Sequence, residues 1–262
     1  MTAYRIVQVD AFASAAFEGN PAAVMPLEEW LPEATMQAIA AENNLAETAF
    51  TVVSDRDDAD YDLRWFTPTV EVELCGHATL ASAHVLLAGE AIRFATRSGI
   101  LTVTRGNGGL LKLDLPAFAV AAGVEPGVLE GLGLPADTPT FLGRGGNGTA
   151  IALLADEAAV RAVAPDFAAL RGIDRLVIVT APGEATDIVS RVFAANHGID
   201  EDPVTGSAHA ALVPFWAEKL ARSRFTAYQA SKRGGHLACE LANDRVLLGG
   251  RCVTVIEGQF QL

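Results

Sequence analysis

The sequence predicts an α+β protein made of two related halves, each a β-sheet wrapped around one apolar helix. Three observations carry the prediction. Short runs of β-forming residues recur along the whole chain, and most are bounded by Gly, Pro or Asp, as strands joined by turns are. Two Ala- and Leu-rich helical segments, about residues 77–88 and 207–220, carry few charges, so each needs apolar neighbours on nearly all sides. Those helices open with related sequence, Cys75-Gly76-His77-Ala78 and Thr205-Gly206-Ser207-Ala208, 130 residues apart in a chain of 262. Similarity repeated at half the chain length indicates an internal duplication.

In chain order, strands are expected over residues 4–9, 49–53 and 61–66, then the first central helix, then strands over 100–104 and 110–115. A break follows near Pro116, where an Ala- and Gly-rich stretch begins, which divides the chain into domains 1–116 and 117–262. The second domain repeats the pattern with strands over 150–153, 176–180 and 188–193, the helix over 207–220, and a closing group of strands from Gly235. Whether the last strand crosses back to the first domain is left open. An Arg-x-Phe strand precedes each helix, Arg64-Trp65-Phe66 and Arg191-Val192-Phe193, and a three-residue insertion before Gly206 aligns the two copies.

Composition removes several function classes. Lys and Arg total 19 against 32 for Asp and Glu, and a net charge of −13 opposes the phosphate contacts that nucleic-acid binding needs. The same charge disfavours anionic membranes. An anionic substrate would have to be held by a local cluster of donors. The N-terminal run lacks the basic region and apolar stretch of a secretory leader and reads as a first strand. No apolar run reaches the ~18 residues of a membrane span. Cys75, Cys239 and Cys252 are odd in number and match no zinc spacing, so neither a disulfide framework nor a structural metal is expected, and a cytoplasmic setting fits.

The helix starts are the first place to look for chemistry. Gly76, His77 and Ala78, and likewise Gly206, Ser207 and Ala208, would present backbone N–H groups that lack intrahelical partners, and such donors bind carboxylates with the helix dipole behind them. His77, in that positive potential, is expected to have a lowered pKa and a neutral ring. His84 is expected to be packed in its helix, and His209 is read evenly between a site-facing and a packed position. The run Gly143-Arg144-Gly145-Gly146-Asn147-Gly148 matches a dinucleotide-loop glycine pattern, but a strand follows it, with helix only from about Asp156, so it reads as a turn.

Taken together, Val9-Asp10-Ala11-Phe12, Gly19-Asn20-Pro21-Ala22, Asn44-Leu45-Ala46-Glu47-Thr48-Ala49-Phe50, Phe66-Thr67-Pro68, Cys75-Gly76-His77-Ala78-Thr79 and Glu201-Asp202-Pro203-Val204-Thr205-Gly206-Ser207-Ala208 resemble the successive signatures of the PhzF family. Ser98-Gly99 and Arg233-Gly234-Gly235 fit as well. The resemblance implies two pseudo-symmetric domains, each a mostly antiparallel curled sheet around a central helix, in the manner of diaminopimelate epimerase. It further implies an active site between the domains, a homodimer, a small anionic substrate, and no metal or organic cofactor. In phenazine-pathway members the reaction isomerises a dihydro-hydroxyanthranilate by taking a proton from one carbon and returning it to another.

Carried over by motif, Glu47 is the acid/base, His77 and Asp202 are its polar partners, and Ser207 helps hold the substrate together with Gly76, Ala78, Gly206, Cys75 and Thr205. Residue chemistry agrees with that assignment. A carboxylate removes a carbon-bound proton best when partly desolvated, and Leu45, Ala46, Ala49 and Phe50 offer apolar surroundings to Glu47. Related epimerases and racemases use two opposed cysteines, but the counterpart of Cys75 here is Thr205, whose hydroxyl is far too weak an acid to serve as a second base. Single-base isomerisation is therefore preferred. Two alternatives stay open: a racemase or epimerase, and a non-catalytic protein that binds a ligand or partner on the same fold.

Overall fold

The computed structural model describes residues 2–143 and 148–262. The chain divides into two compact units, Met1–Asp114 with Gly249–Leu262, and Leu115–Leu248. In the first unit β1 (Ala3–Ala11), β2 (Asn20–Pro26), β3 (Glu47–Val53), β4 (Tyr61–Phe66), β5 (Glu71–Val72), β6 (Ala91–Thr96), β7 (Gly99–Arg105) and β8 (Leu111–Pro116) are joined by two helices, α1 (Glu33–Asn43) and α2 (Gly76–Leu86). Pairing runs β1–β2 antiparallel, β2–β3 parallel, β3–β4 antiparallel, β4–β6 parallel and β6–β7 antiparallel. The sheet curls so that β1, β2, β3 and β7 all pack on α2. Gly76 to Ala83 are buried, with Ala78, Leu80, Ala81 and Ala83 sealed from solvent. Small residues on this helix let the strands come close on several sides, which a larger side chain would prevent.

The second unit holds β9 (Val120–Ala122), α3 (Val128–Gly131), β10 (Thr140–Gly143), β11 (Thr149–Leu153), α4 (Glu157–Ala162), α5 (Phe167–Leu170), β12 (Leu176–Pro182), β13 (Ile188–Ala194), β14 (Ile199–Asp202), α6 (Gly206–Leu220), β15 (Arg224–Gln229), β16 (Gly235–Ala242) and β17 (Arg245–Gly250). Its pairing order repeats the first: β10–β11 antiparallel, β11–β12 parallel, β12–β13 antiparallel, β13–β15 parallel, β15–β16 antiparallel. The final strand, β18 (Cys252–Gln261), returns to the first unit and lies antiparallel to β1, from Ala3 opposite Gln261 to Ala11 opposite Cys252. This is the α+β, mostly antiparallel, curled-sheet class expected from the sequence. Among the described residues no helix is long and apolar enough to cross a membrane. Residues 144–147 of the glycine-rich run lie outside the described residues. The strand after Gly148 is β11, and α4 opens after Asp156, whose side chain accepts the Ala159 N–H at 2.8 Å.

One device recurs in both units and fixes the chain just ahead of each central helix. The Arg64 guanidinium donates two parallel hydrogen bonds to Glu71, both 2.7 Å, and Arg191 grips Glu201 the same way at 2.7 and 2.9 Å. Each arginine also lies over the Phe two residues on, Phe66 at 5.2 Å and Phe193 at 5.1 Å. Glu71 and Glu201 each stand five residues before the helix-start glycine, so the three-residue insertion falls between Phe193 and Glu201. Paired, planar and partly buried, such a clamp positions a loop more firmly than exposed charges do.

His84 departs from expectation. It is exposed, with Nε2 3.0 Å from the Thr254 hydroxyl, because it falls where α2 emerges from its sheet in the last turn. His209 takes the packed alternative: it is fully buried, and its Nδ1 lies 2.8 Å from the Thr205 carbonyl. Burial pushes it down to about 4, so it is neutral in the fold, whereas in the unfolded chain it titrates near ~6.5. Its contribution to stability is therefore complete above pH ~6.5 and is lost as pH falls toward its folded value. Urea unfolding between pH 7 and 4 should show wild type losing up to ~3 kcal/mol more than His209→Gln over that interval. Equal slopes for the two proteins would contradict this role.

Candidate active site

The edge of the first unit's sheet where β2 and β3 begin also carries the start of α2. Glu47 is the first residue of β3, opposite Ala22 of β2, and is only 9% exposed. Its Oε2 lies 2.9 Å from Nε2 of His77, which is 4% exposed. The two atoms form a close pair, at hydrogen-bonding distance. On the other side of the ring, His77 Nδ1 meets the Asn20 side-chain amide at 3.1 Å and the Cys75 sulfur at 3.6 Å. An amide can serve either ring state, since turning it exchanges an N–H donor for an oxygen acceptor.

Electrostatics here differ from the expectation of a neutral His77. Burial disfavours the charged ring, but the neighbouring Cys75 sulfur and Glu47 carboxylate outweigh that cost and hold His77 well above its ordinary value. Cys75 itself is pushed up to about 11, chiefly by burial and then by Glu47. It is therefore a thiol near neutral pH, so the lasting influence on His77 is the carboxylate. A full negative charge 2.9 Å away exceeds the partial charge of a helix end. The donor atoms of Glu47, Cys75 and His77 lie within 4.8 Å of one another, a set able to ligate zinc. Metal binding there would need the Cys75 proton removed and would withdraw Glu47 from proton transfer.

The first backbone hydrogen bond of α2 runs from Thr79 N–H to the Cys75 carbonyl, which also receives the Thr79 hydroxyl at 2.5 Å. The N–H groups of Gly76 and His77 consequently have no partner within the helix, while the Ala78 N–H is turned onto the Cys75 sulfur. Cys75, Gly76, His77 and Ala78 thus come together with Glu47, as the motif assignment requires, and Asn20 joins them. Asn20 lay within a quoted motif, but nothing in its local sequence marked it as the partner of a histidine 57 positions away.

In the second unit, Asp202, Thr205, Gly206 and Ser207 are gathered at the start of α6. The Thr205 hydroxyl donates a short hydrogen bond to Asp202 Oδ2. Gln229, fully buried at the end of β15, binds both sides of the turn: its amide N–H groups reach the Asp202 carbonyl at 2.7 Å and the Thr205 hydroxyl at 3.2 Å, and its oxygen accepts the Thr205 N–H at 2.9 Å. Sequence reasoning missed Gln229, which carries no motif of its own. The first backbone bond of α6 is His209 N–H to the Thr205 carbonyl, leaving the Gly206, Ser207 and Ala208 N–H groups at the helix end. Ser207 is the one partly exposed residue among Val204 to Ala210.

The model of the PhzC-PhzF family, described as phenazine biosynthesis-like protein, matches residues 9–258. An uncharacterized isomerase of Pseudomonas aeruginosa is 47% identical over 268 residues, covering 98% of each chain. A crystal structure of a PhzF family protein from Enterococcus faecalis superposes with a TM-score of 0.91 at 45% identity, covering 100% of both chains. A hydroxyproline epimerase from Agrobacterium vitis, 11% identical with a TM-score of 0.62 and covering 98% of this chain and 92% of that one, shares the fold. On the extent of the family match and the near-half identity across its length, this chain belongs to the PhzC-PhzF family of phenazine biosynthesis-like proteins.

Proposed function

We propose that the protein is a cofactor-independent isomerase in which Glu47 takes a proton from one carbon of a small carboxylated substrate and returns it to another carbon of the same molecule. The observation that carries the reading is the buried Glu47 carboxylate 2.9 Å from His77 in the first turn of α2. The Glu47 carboxylate in turn holds the His77 ring well above its ordinary value. As the C–H proton passes to Glu47 Oε2, negative charge moves onto the substrate, and the cationic ring then faces that charge instead of a carboxylate. Reversal of the transfer at the second carbon restores both groups. No electrons are exchanged with a partner molecule.

By the family motif, Asp202, held by Thr205 and Gln229, and Ser207 with the Gly206 N–H at the start of α6 are the polar groups that the second unit offers for binding. Family resemblance supports a homodimer, and the isomerase naming of the Pseudomonas aeruginosa relative supports the reaction class. A two-thiol racemase draws no support from the residues. Cys75 is a buried thiol pushed up to about 11, and its counterpart Thr205 is hydrogen-bonded to Asp202.

Solvent deuterium incorporation into a panel of small amino, hydroxy and ring carboxylic acids tests the reading. Glu47→Gln keeps the shape of the side chain and should lower exchange by ~100- to 10,000-fold while circular dichroism and sedimentation stay as in wild type. A fully active Glu47→Gln would remove the mechanism. Cys75→Ala should retain most of the exchange activity; a loss as deep as that of Glu47→Gln would instead favour thiol chemistry.

A further inference from the structure

The clamp that Gln229 makes on the start of α6 has one self-consistent direction of hydrogen bonding. An amide can be turned end for end, but here two backbone groups fix it. The Asp202 carbonyl demands a donor and the Thr205 N–H demands an acceptor, so Nε2 faces the first at 2.7 Å and Oε1 the second at 2.9 Å. Nε2 then has a second proton for the Thr205 hydroxyl oxygen, 3.2 Å away. That oxygen accepts from Gln229 and gives its own proton to Asp202 Oδ2. From Gln229 outward each donor sets the next, and the chain ends on a carboxylate oxygen. The sheet fixes Gln229 in turn: its backbone lies opposite Ser190 of β13 on one side and Gly235 of β16 on the other, and its side chain is fully buried.

The first unit starts its central helix without such a clamp. Tyr61 and Ile188, each five residues before the phenylalanine of its strand, lie opposite Phe94 and Ala227. Two residues on, the counterpart of Gln229 is therefore Thr96, and its hydroxyl donates to the Gly99 carbonyl at 2.7 Å rather than to the start of α2. Counted from the helix-start glycines, the counterpart of Asp202 is Val72. Arginine clamp, strand order and helix-start glycine occur in both units, whereas the amide clamp occurs where a carboxylate stands in place of a valine. The helix start as such does not require it.

We propose that Gln229 is a positioning residue for the reaction: acting through Thr205, it aims the Asp202 carboxylate and keeps it a hydrogen-bond acceptor. This rests on the proposed role of Asp202 as a group that the second unit offers for binding. A donor directed at a carboxylate favours its ionised form, so Asp202 meets a ligand as an acceptor. A buried amide held on both edges of its strand keeps that geometry before the ligand arrives, and small misplacements of such groups are costly in rate.

Deuterium exchange into the panel acid that wild type turns over fastest, with kcat, KM and Tm measured on each variant, tests the role. Gln229→Met keeps the length of the side chain without its donors and acceptor, and Thr205→Val keeps the shape of Thr205 without its hydroxyl. Each should lower kcat/KM roughly 10- to 100-fold. The double variant should be no slower than the slower single one, because both interrupt one chain of donors. Thr205→Ser separates positioning from packing: it loses a buried methyl group, so its Tm should fall as that of Thr205→Val does, yet it should recover most of the exchange that Thr205→Val loses. Wild-type exchange in Thr205→Val overturns the proposal whether or not Gln229→Met folds, and so does a Thr205→Ser as slow as Thr205→Val. Full exchange in Gln229→Met with none in Glu47→Gln removes the positioning role and leaves the isomerase reading intact. Exchange that survives Glu47→Gln but falls in Gln229→Met removes Glu47 as the base and leaves the positioning role. A wild type that exchanges no acid of the panel overturns both.

Discussion

A carboxylate taken out of water must be met by an opposite charge or by donors, and the pairing of Glu47 with His77 meets that requirement in the first unit. Much of the surrounding architecture can be understood as what the pair needs. The parallel placement of β2 beside β3 sets Glu47 against Ala22, two residues along from Asn20. Asn20 then reaches the far side of the His77 ring. Small residues along α2 bring its first turn into the sheet, so that His77 is buried where a histidine at an exposed helix start would not be. Even the thiol state of Cys75 follows, since burial and the same carboxylate both oppose its ionisation.

Duplication explains why the second unit resembles the first in frame and differs in chemistry. Both use the same order of strand pairing, an arginine clamp on a glutamate ahead of the helix, and a glycine at the helix start. These shared parts are mechanical, because they deliver an open helix end at a fixed place. The variable parts are the side chains at that end. Cys75 and His77 in the first unit correspond to Thr205 and Ser207 in the second, where Asp202 and Gln229 form a neutral-donor and carboxylate network in place of an ion pair. One copy therefore gathers a carboxylate, an imidazole and a thiol, and the other gathers hydroxyl and amide donors around a carboxylate.

His77 and His209 show how far local reasoning about charge can go. Each sits in the first turns of its central helix and each is buried, yet one is held up and the other down. The helix dipole acts on both in the same sense. What separates them is the neighbour: a carboxylate faces His77, while His209 lies against a backbone carbonyl. At contact distance a full charge outweighs the field of a helix end, and burial without a charged partner favours the neutral ring.

Sequence alone determined the parts of this protein that are written as period, spacing and motif. The repeat at half the chain length, the apolar central helices, most of the strands, and the grouping of Cys75, Gly76, His77 and Ala78 with Glu47 were legible there, because each is a local pattern or a set of signatures in a fixed order. β2 was not, since Asn20-Pro21-Ala22-Ala23 lacks the alternation of a half-buried strand and is buried on both faces. Tertiary structure decided the roles of Asn20 and Gln229, the exposure of His84, the charge of His77 and the return of β18 to β1. All of these depend on partners distant in sequence. Hydrogen bonds and Coulomb forces act over a few ångströms of space, and only the folded chain determines which residues are that close.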